Sequence, residues 1–255
     1  MEKHETLYLY ILTAVLVVGY GFALAFGLAK LDTWRVEKAQ EYLAKAKVAQ
    51  NSGVRLQYSE WAILLHSNEE EYLLAGTAAV DLGNGRLAEK YLPHVKSGEG
   101  LLELGKAQLK QGKLDEARRS LTSSYAILKN DDTNKLIYLA GGNGQYPDVS
   151  RETNPINRVS LIYNDLISRG YPQAAIQTLQ VASQNNSLGR DGFITLANKD
   201  ISESNYIAAY DLLVRAKLKD AYYPQVYQQL VLVCEKLGKS DEAVQYQNFL
   251  DNLTI

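Results

Sequence analysis

Apolar residues are distributed along this chain in two patterns. Between Leu7 and Ala29 they run together as LYLYILTAVLVVGYGFALAFGLA, 23 residues without a charge. From Lys30 onward they recur every three or four positions among charged and amide side chains, the period of a helix with one buried face. A helix of the first kind, rising about 1.5 Å per residue, crosses the ~30 Å hydrocarbon core of a bilayer. Tyr8 and Tyr10 mark one boundary and Trp34 lies just past the other, where aromatic rings suit the headgroup level. The continuous run predicts a single transmembrane helix over 7–29 behind a short tail, 1–6. The alternative is a cleaved leader with Ala23-Leu24-Ala25 as its cleavage site, although the run exceeds the usual ~7–15-residue apolar stretch of a leader.

Within this segment Gly19, Ala23 and Gly27 fall at four-residue spacing, as do Gly21, Ala25 and Ala29. Small residues so placed let two membrane helices approach closely, which predicts a homo-oligomer through this face. Lys30, Arg35, Lys38, Lys45 and Lys47 follow the span and only Lys3 precedes it, so the positive-inside rule favours a cytoplasmic C-terminal domain. Against it, short N-terminal anchors commonly export the domain behind them, and large domains translocate despite flanking charge. The expectation adopted is an extracytoplasmic domain, with the cytoplasmic side as the alternative. Asn185-Asn186-Ser187 and Asn252-Leu253-Thr254 form glycosylation sequons, which matter only in a glycosylating compartment.

The rest of the chain reads as helix almost throughout. Residues 31–49 place Leu31, Trp34, Tyr42, Leu43, Ala46 and Ala49 on one broad face, Asn51-Ser52-Gly53 breaks the pattern, and a second amphipathic run extends from Val54 to Leu65. His66-Ser67-Asn68 is a loop, and Asn68 followed by Glu71 is an N-cap with its capping-box acid. Glu69-Glu70-Glu71 opens the next helix, where negative charge complements the helix dipole. No stretch shows strand alternation with hairpin turn signals. The expected fold class is all-α.

Three segments in the C-terminal half, 157–184, 191–218 and 225–252, align without gaps at an offset of 34. Gly170, Ser204 and Gly238 fall at an inter-helix turn, and Ala175, Ala209 and Ala243 follow each by five residues. Val159, Phe193 and Tyr227 hold the large apolar position of the first helix, while Leu179, Leu213 and Gln247 lie in the second. An earlier segment, LLELGKAQLKQGKLDEARRSLTSSYAI (101–127), carries Leu101, Leu104, Gly105, Gly112, Ala117, Leu121 and Ser124 in the same order, and 72–92 carries Tyr72, Gly76, Gly83, Ala88 and Leu92.

These segments resemble the tetratricopeptide repeat (TPR) family, whose ~34-residue unit is a helix–turn–helix with a large–small–large packing pattern. The resemblance implies an α-α superhelical solenoid, because one helix pair cannot bury its own apolar face and must stack on the next. The implied organisation is a juxtamembrane helical cap over 30–67, two repeat-like units over 68–131, a degenerate repeat or loop insertion over 132–155, and three units with a C-terminal cap over 156–255. Two spacings depart from the family: Gly83 to Gly112 is 29 residues and Gly112 to Gly170 is 58. Between the last two, Asn134 to Ala140 reads as a helix whose partner is replaced by the loop around Gly141-Gly142-Asn143-Gly144 and Tyr146-Pro147-Asp148.

In such a solenoid the first helices line a groove. The groove residues implied here are Ser160, Asn164, Asp191, Ile194, Asn198, Gln225 and Gln228, with Lys106 and Lys110 upstream. Asn164 and Asn198 recur at matching positions, and an amide offers both donor and acceptor to an extended peptide. Chaperone-binding members of the family hold a terminal carboxylate with Lys, Asn and Arg; only Asn164 matches, and Ser160, Gln225 and Gln229 stand where cations are expected. The carboxylate clamp is therefore not implied, and recognition through neutral hydrogen bonds predicts weak salt dependence. Among the 18 Tyr, against 4 Phe, Tyr222, Tyr223 and Tyr227 cluster near a repeat junction, where packing is the favoured role and binding the alternative.

Composition narrows the chemistry further. A net charge of −2 argues against nucleic-acid binding, which needs a basic excess, and a single Cys excludes an intrachain disulfide and a Cys-rich zinc site. Gly83-Asn84-Gly85-Arg86-Leu87-Ala88 fits G-x-G-x-x-A, but a helix precedes it where the dinucleotide fingerprint requires a strand. His4, His66 and His94 are scattered, and Cys234 lies at an interior-looking position without a flanking Lys or His. No cofactor, metal or catalytic residue is expected. The reading reached is a membrane-tethered binding module for another protein or an extended peptide, acting as a scaffold or assembly factor. A permanent structural subunit of a membrane complex and a regulatory part of an enzyme are the alternatives.

Overall fold

The computed structural model describes residues 2–253 and, within the first helix, the side chains at positions 17, 18, 20, 21 and from 24 onward. The described chain is α1 (Glu2–Val48), α2 (Ser52–Leu65), α3 (Glu69–Asp81), α4 (Gly85–Tyr91), α5 (Gly98–Lys110), α6 (Leu114–Leu128), α7 (Asp131–Leu139), α8 (Pro147–Ser150), α9 (Pro155–Ser168), α10 (Pro172–Gln184), α11 (Arg190–Ser202), α12 (Tyr206–Lys219), α13 (Pro224–Lys236) and α14 (Ser240–Leu253), with a 3-10 turn over Leu92–His94. No strand occurs among the described residues. They divide into two compact units, one up to Glu103 and one from Leu104; the division falls inside α5.

Side-chain caps set many of the boundaries. Asn51 ends the break after α1 by accepting from the amides of Gly53 and Val54. Asn68 and Glu71 form the expected capping box, with the Glu71 carboxylate accepting from the Asn68 amide at 2.9 Å. Asn84, Asn130 and Asn154 cap α4, α7 and α9 in the same manner. Each satisfies amides that the first turn of a helix leaves without intrahelical partners.

The first helix joins residues 7–29 and the amphipathic stretch beyond them without a break. Most of the expected span beyond its backbone, including the surroundings of Gly19 and Ala23, lies outside the described residues. Among the described residues no helix is long and apolar enough to cross a membrane. Gly27 has open space where a side chain would stand. Val17, Val18, Tyr20, Leu24, Phe26, Leu28, Leu31 and Trp34 are all exposed. Further along the helix the first unit begins its core with Ala39, Leu43 and Ala46. There Tyr42 meets Tyr58 and Trp61 of α2 at centroid distances of 6.2 and 5.2 Å.

One turn recurs six times among the described residues, each time closing the first helix of a unit. Its central residue has positive φ: Gly83, Gly112, Gly141, Gly170, Ser204 and Gly238. In each case that residue donates its N–H to the carbonyl three positions back, and the next residue donates to the carbonyl five positions before itself, at 2.7–3.2 Å. This is the Schellman closure of a helix C-terminus. The six centres stand 29, 29, 29, 34 and 34 residues apart. The 58-residue gap seen in the sequence is thus two 29-residue steps with Gly141 at the middle. The loop expected after the helix at 134–140 holds a one-turn helix, α8, whose Val149 is buried.

Counting from the turn centre gives one register for the whole array. Five residues after it stand Ala88, Ala117, Ala175, Ala209 and Ala243, all buried, with Tyr146 in the unit of α7. Nine residues after it, Leu92, Leu121, Leu179 and Leu213 are buried, while Ser150 and Gln247 are exposed. Seven residues before it, Gly76 and Gly105 make room for those leucines: a Cβ on Gly76 would overlap Leu92, and one on Gly105 would lie 2.6 Å from Leu121 Cγ. The large apolar residue of one helix thus fills the space that a small residue of its partner leaves open. In the second unit this packing closes around Phe193, Leu196, Leu213, Val226, Leu230 and Val233.

Candidate functional site

The same register sorts the sequence-derived site residues. Asn164, Asn198 and Lys106 all stand six positions before a turn centre, a row that also contains Lys135 and Leu232. Asn164, Asn198 and Leu232 are exposed and Lys106 is half-buried. Ser160 and Gln228 stand ten positions before a turn and are exposed. Asp191 and Gln225 are exposed near the starts of α11 and α13, and Lys110 is exposed at the end of α5. The first helices of the second unit therefore carry repeated polar positions that their own repeats do not bury.

Ile194 corrects this picture. It occupies the register of Ser160 and Gln228, yet it is only 6% exposed and belongs to the core around Phe193 and Leu213. A β-branched apolar side chain gains more from that core than from water, so it contributes packing rather than a binding surface.

Local bonds fix several of the remaining side chains. Gln229 of α13 donates through Nε2 to Asn198 Oδ1 of α11 at 2.7 Å, linking consecutive first helices. Asn198 is thereby held in one orientation. Ser160 Oγ donates to the Ile156 carbonyl within its own helix. Asp191 is paired with Arg190 at 2.7 Å, and Arg190 also reaches Asp220 at 2.6 Å. Arg190 holds the Asp220 carboxyl below the usual range. One guanidinium facing the two carboxylates of Asp191 and Asp220 leaves this part of the face with one negative charge in excess.

Two of the three clustered tyrosines pack. Tyr227 stacks on Phe249 at 4.4 Å and donates its hydroxyl to the Ala221 carbonyl at 2.7 Å, and the Arg190 guanidinium lies 3.7 Å from the Tyr223 ring centroid. Tyr222 is exposed. Cys234 is buried, and burial pushes its thiol up, away from thiolate chemistry. His66 and His94 are far apart in sequence, and no group of three or more His, Cys, Asp or Glu among the described residues has the arrangement of a metal site.

The sequence reading overlooked three residues. Leu232 follows Asn198 by the same 34 positions that separate Asn198 from Asn164, and Lys135 precedes Asn164 by 29. Counting back from Gly238 finds Leu232 in the sequence, whereas Lys135 emerges only with the turn at Gly141. Asp200 is the third, and only its burial reveals it. A cleft of about 560 Å3 also opens beside the α7 unit, lined by Leu114, Leu139, Arg158, Ile162 and Val181 among others.

No family model and no curated protein matches the chain. Solved structures with a similar succession of helices include the TPR domain of P58(IPK), at 18% identity over 86% of this chain and 73% of that one, with a TM-score of 0.37. The TPR2AB domain of yeast Sti1 in its complex with pHSP90 aligns at 12% identity over 89% and 94%, with a TM-score of 0.33. PilF of Pseudomonas aeruginosa aligns at 12% identity over 89% and 93%, with a TM-score of 0.32.

Proposed function

We propose that the chain is a membrane-tethered TPR-type module that binds another protein along the first helices of its second unit. The observation that carries this reading is the repeated exposure of polar side chains at fixed distances before successive turns, above all Asn164 and Asn198. Exposed polar residues are common on any surface; here their recurrence in register with the packing pattern gives an extended segment a regular set of donors and acceptors. Recognition of this kind is dominated by amide hydrogen bonds and by apolar contact at Leu232, so it weakens little with salt. The protein serves as a scaffold or assembly factor for something near the bilayer.

Tethering is supported by the uncharged stretch 7–29 and by the bare apolar side chains of α1. Eight described large apolar residues between Val17 and Trp34 are 49–73% exposed, and an environment of lipid would remove them from water. The solenoid then stands on the extracytoplasmic side. Alkaline extraction of membranes and protease treatment of intact cells test the two parts. Release into the alkaline supernatant contradicts tethering, and protection of the C-terminal domain from protease contradicts the chosen side. Binding itself is tested by co-isolation from crosslinked membranes: Asn164→Arg together with Gln228→Arg removes the partner that the native chain retains. Unchanged recovery with the doubly substituted chain contradicts the proposed face.

A further inference from the structure

Four positions before each turn centre stand Ala79, Gln108, Ile137, Leu166, Asp200 and Cys234. Five of the six are buried: Ala79, Leu166 and Cys234 completely, Ile137 and Gln108 nearly so. Asp200 is the sixth. It is the charged member and the one that remains half-buried. Its backbone keeps the common register, since its carbonyl accepts the Asn205 N–H at 2.7 Å just as the Leu166 carbonyl accepts that of Tyr171 at 2.8 Å. The side chain therefore enters the inter-helix space that Ala79, Ile137 and Leu166 fill with hydrocarbon and Gln108 with an amide.

That space is a cleft of about 380 Å3 between α10, α11 and α12. Its lining is Gln177, Gln180, Ser183 and Gln184 from α10 and Lys199 beside Asp200 on α11, with Leu196 and Leu212 as its apolar part. The charged groups bearing on Asp200 are Lys199 and Glu203, and these pair with each other at 2.6 Å. No hydrogen bond or ion pair from another described side chain reaches the Asp200 carboxylate. Burial raises its carboxyl above the usual range although Lys199 pulls the other way, the sign of a charge held where solvation is poor and to which no cation bonds directly.

We propose that this cleft receives the basic side chain, arginine or lysine, of a protein partner. An arginine or lysine has an aliphatic stem that lies along apolar surface while its head remains polar. Leu196 and Leu212 suit the stem. The head carries donors and no acceptor, and it meets the Asp200 carboxylate and the carbonyl oxygens of the glutamines. An anionic ligand is repelled by Asp200, while Lys199, the cation of the lining, is already bonded to Glu203; an apolar ligand would leave the carboxylate desolvated without a partner, which is costly. The cleft is a different surface from the first-helix row, and the inference does not depend on that row being occupied.

The test uses the full chain in detergent and fluorescent capped peptides of one neutral sequence with arginine, lysine, norleucine or glutamate at the centre. Anisotropy titration is expected to show the arginine and lysine peptides binding at least about tenfold more tightly than the other two, a difference of ~1.4 kcal/mol. Asp200→Asn erases that preference, and so does Asp200→Leu, which installs the residue found at position 166; circular dichroism confirms that each variant is folded. Equal binding of the arginine and norleucine peptides overturns the proposal, as does a preference that survives in either folded variant. Spermidine displacing the peptide at equal concentration also overturns it, since the cleft would then read a free amine rather than a protein side chain.

Discussion

The three helix pairs from α9 to α14 and the unit built on α7 share a turn but not a packing. In the regular pairs the second helix has 13 or 14 residues and the turn centres are 34 apart. In the α7 unit the first helix has nine residues, the second has four, and the step is 29. The left-handed turn survives at Gly141 because it depends only on local backbone bonds. What is lost is the leucine nine residues later: the position is Ser150, exposed to solvent. Turn geometry and helix-pair packing are therefore separable. The α7 unit retains its first helix and turn, while the length of the second helix decides how much core a unit adds. Gln247 in α14 shows the same loss, exposed where Leu179 and Leu213 are buried.

Several substitutions would break or sharpen this contrast. The largest effect is expected from Leu213→Ala, which empties a fully buried position and costs about 2–5 kcal/mol. The matching change Ser150→Ala stays within about 0.5 kcal/mol. Urea unfolding of both variants checks the pair, and equal losses would erase the distinction between the two kinds of unit. Gly105→Ala comes next in size. In an open helix the change gains about 1 kcal/mol, but the contact with Leu121 reverses the sign and destabilises by about 1–3 kcal/mol. A stabilised Gly105→Ala protein would show that Leu121 does not need the space. Asn68→Ala, which removes the capping box of α3, costs about 1 kcal/mol in the same assay.

Asp200 adds a dependence on pH. Its folded-state pKa is raised, so the native state holds the proton more tightly than the unfolded chain. Stability then falls as pH rises from the ordinary carboxylate range through the raised value. Lys199 and Glu203 face it and offset each other. Asp200→Asn flattens that part of the profile, and a profile unchanged by the substitution would contradict the unanswered charge. Ser204→Gly has the smallest expected effect, a gain of about 0.5–1 kcal/mol in melting experiments, because Ser204 holds a left-handed conformation that glycine adopts at less cost.

Much of this was legible in the sequence, for physical reasons. The 34-residue register is visible because buried Ala and Leu must recur wherever helices cross at the same depth. The capping box at Asn68 and Glu71 is visible because it is made by residues three apart. The middle of the 58-residue gap was not, since Gly141 is followed by Tyr146 and Ser150 rather than by Ala and Leu. Its turn is recorded only in backbone angles and two hydrogen bonds. Ile194 was misplaced for a related reason: register alone gives a direction on the helix, and burial depends on what the neighbouring helices bring there. Asp200 was hidden because an aspartate on an amphipathic helix normally marks the wet side.

The central claim is that a partner protein lies along the first helices of the second unit. Site-specific photo-crosslinking in intact cells tests it most directly, with the photoreactive residue at position 164 or 198 and a control at Gln245, an exposed site on α14. The account predicts a discrete adduct with the same protein from 164 and 198 and none from 245. Absence of an adduct at both first-helix positions, or the same adduct from 245, would contradict it.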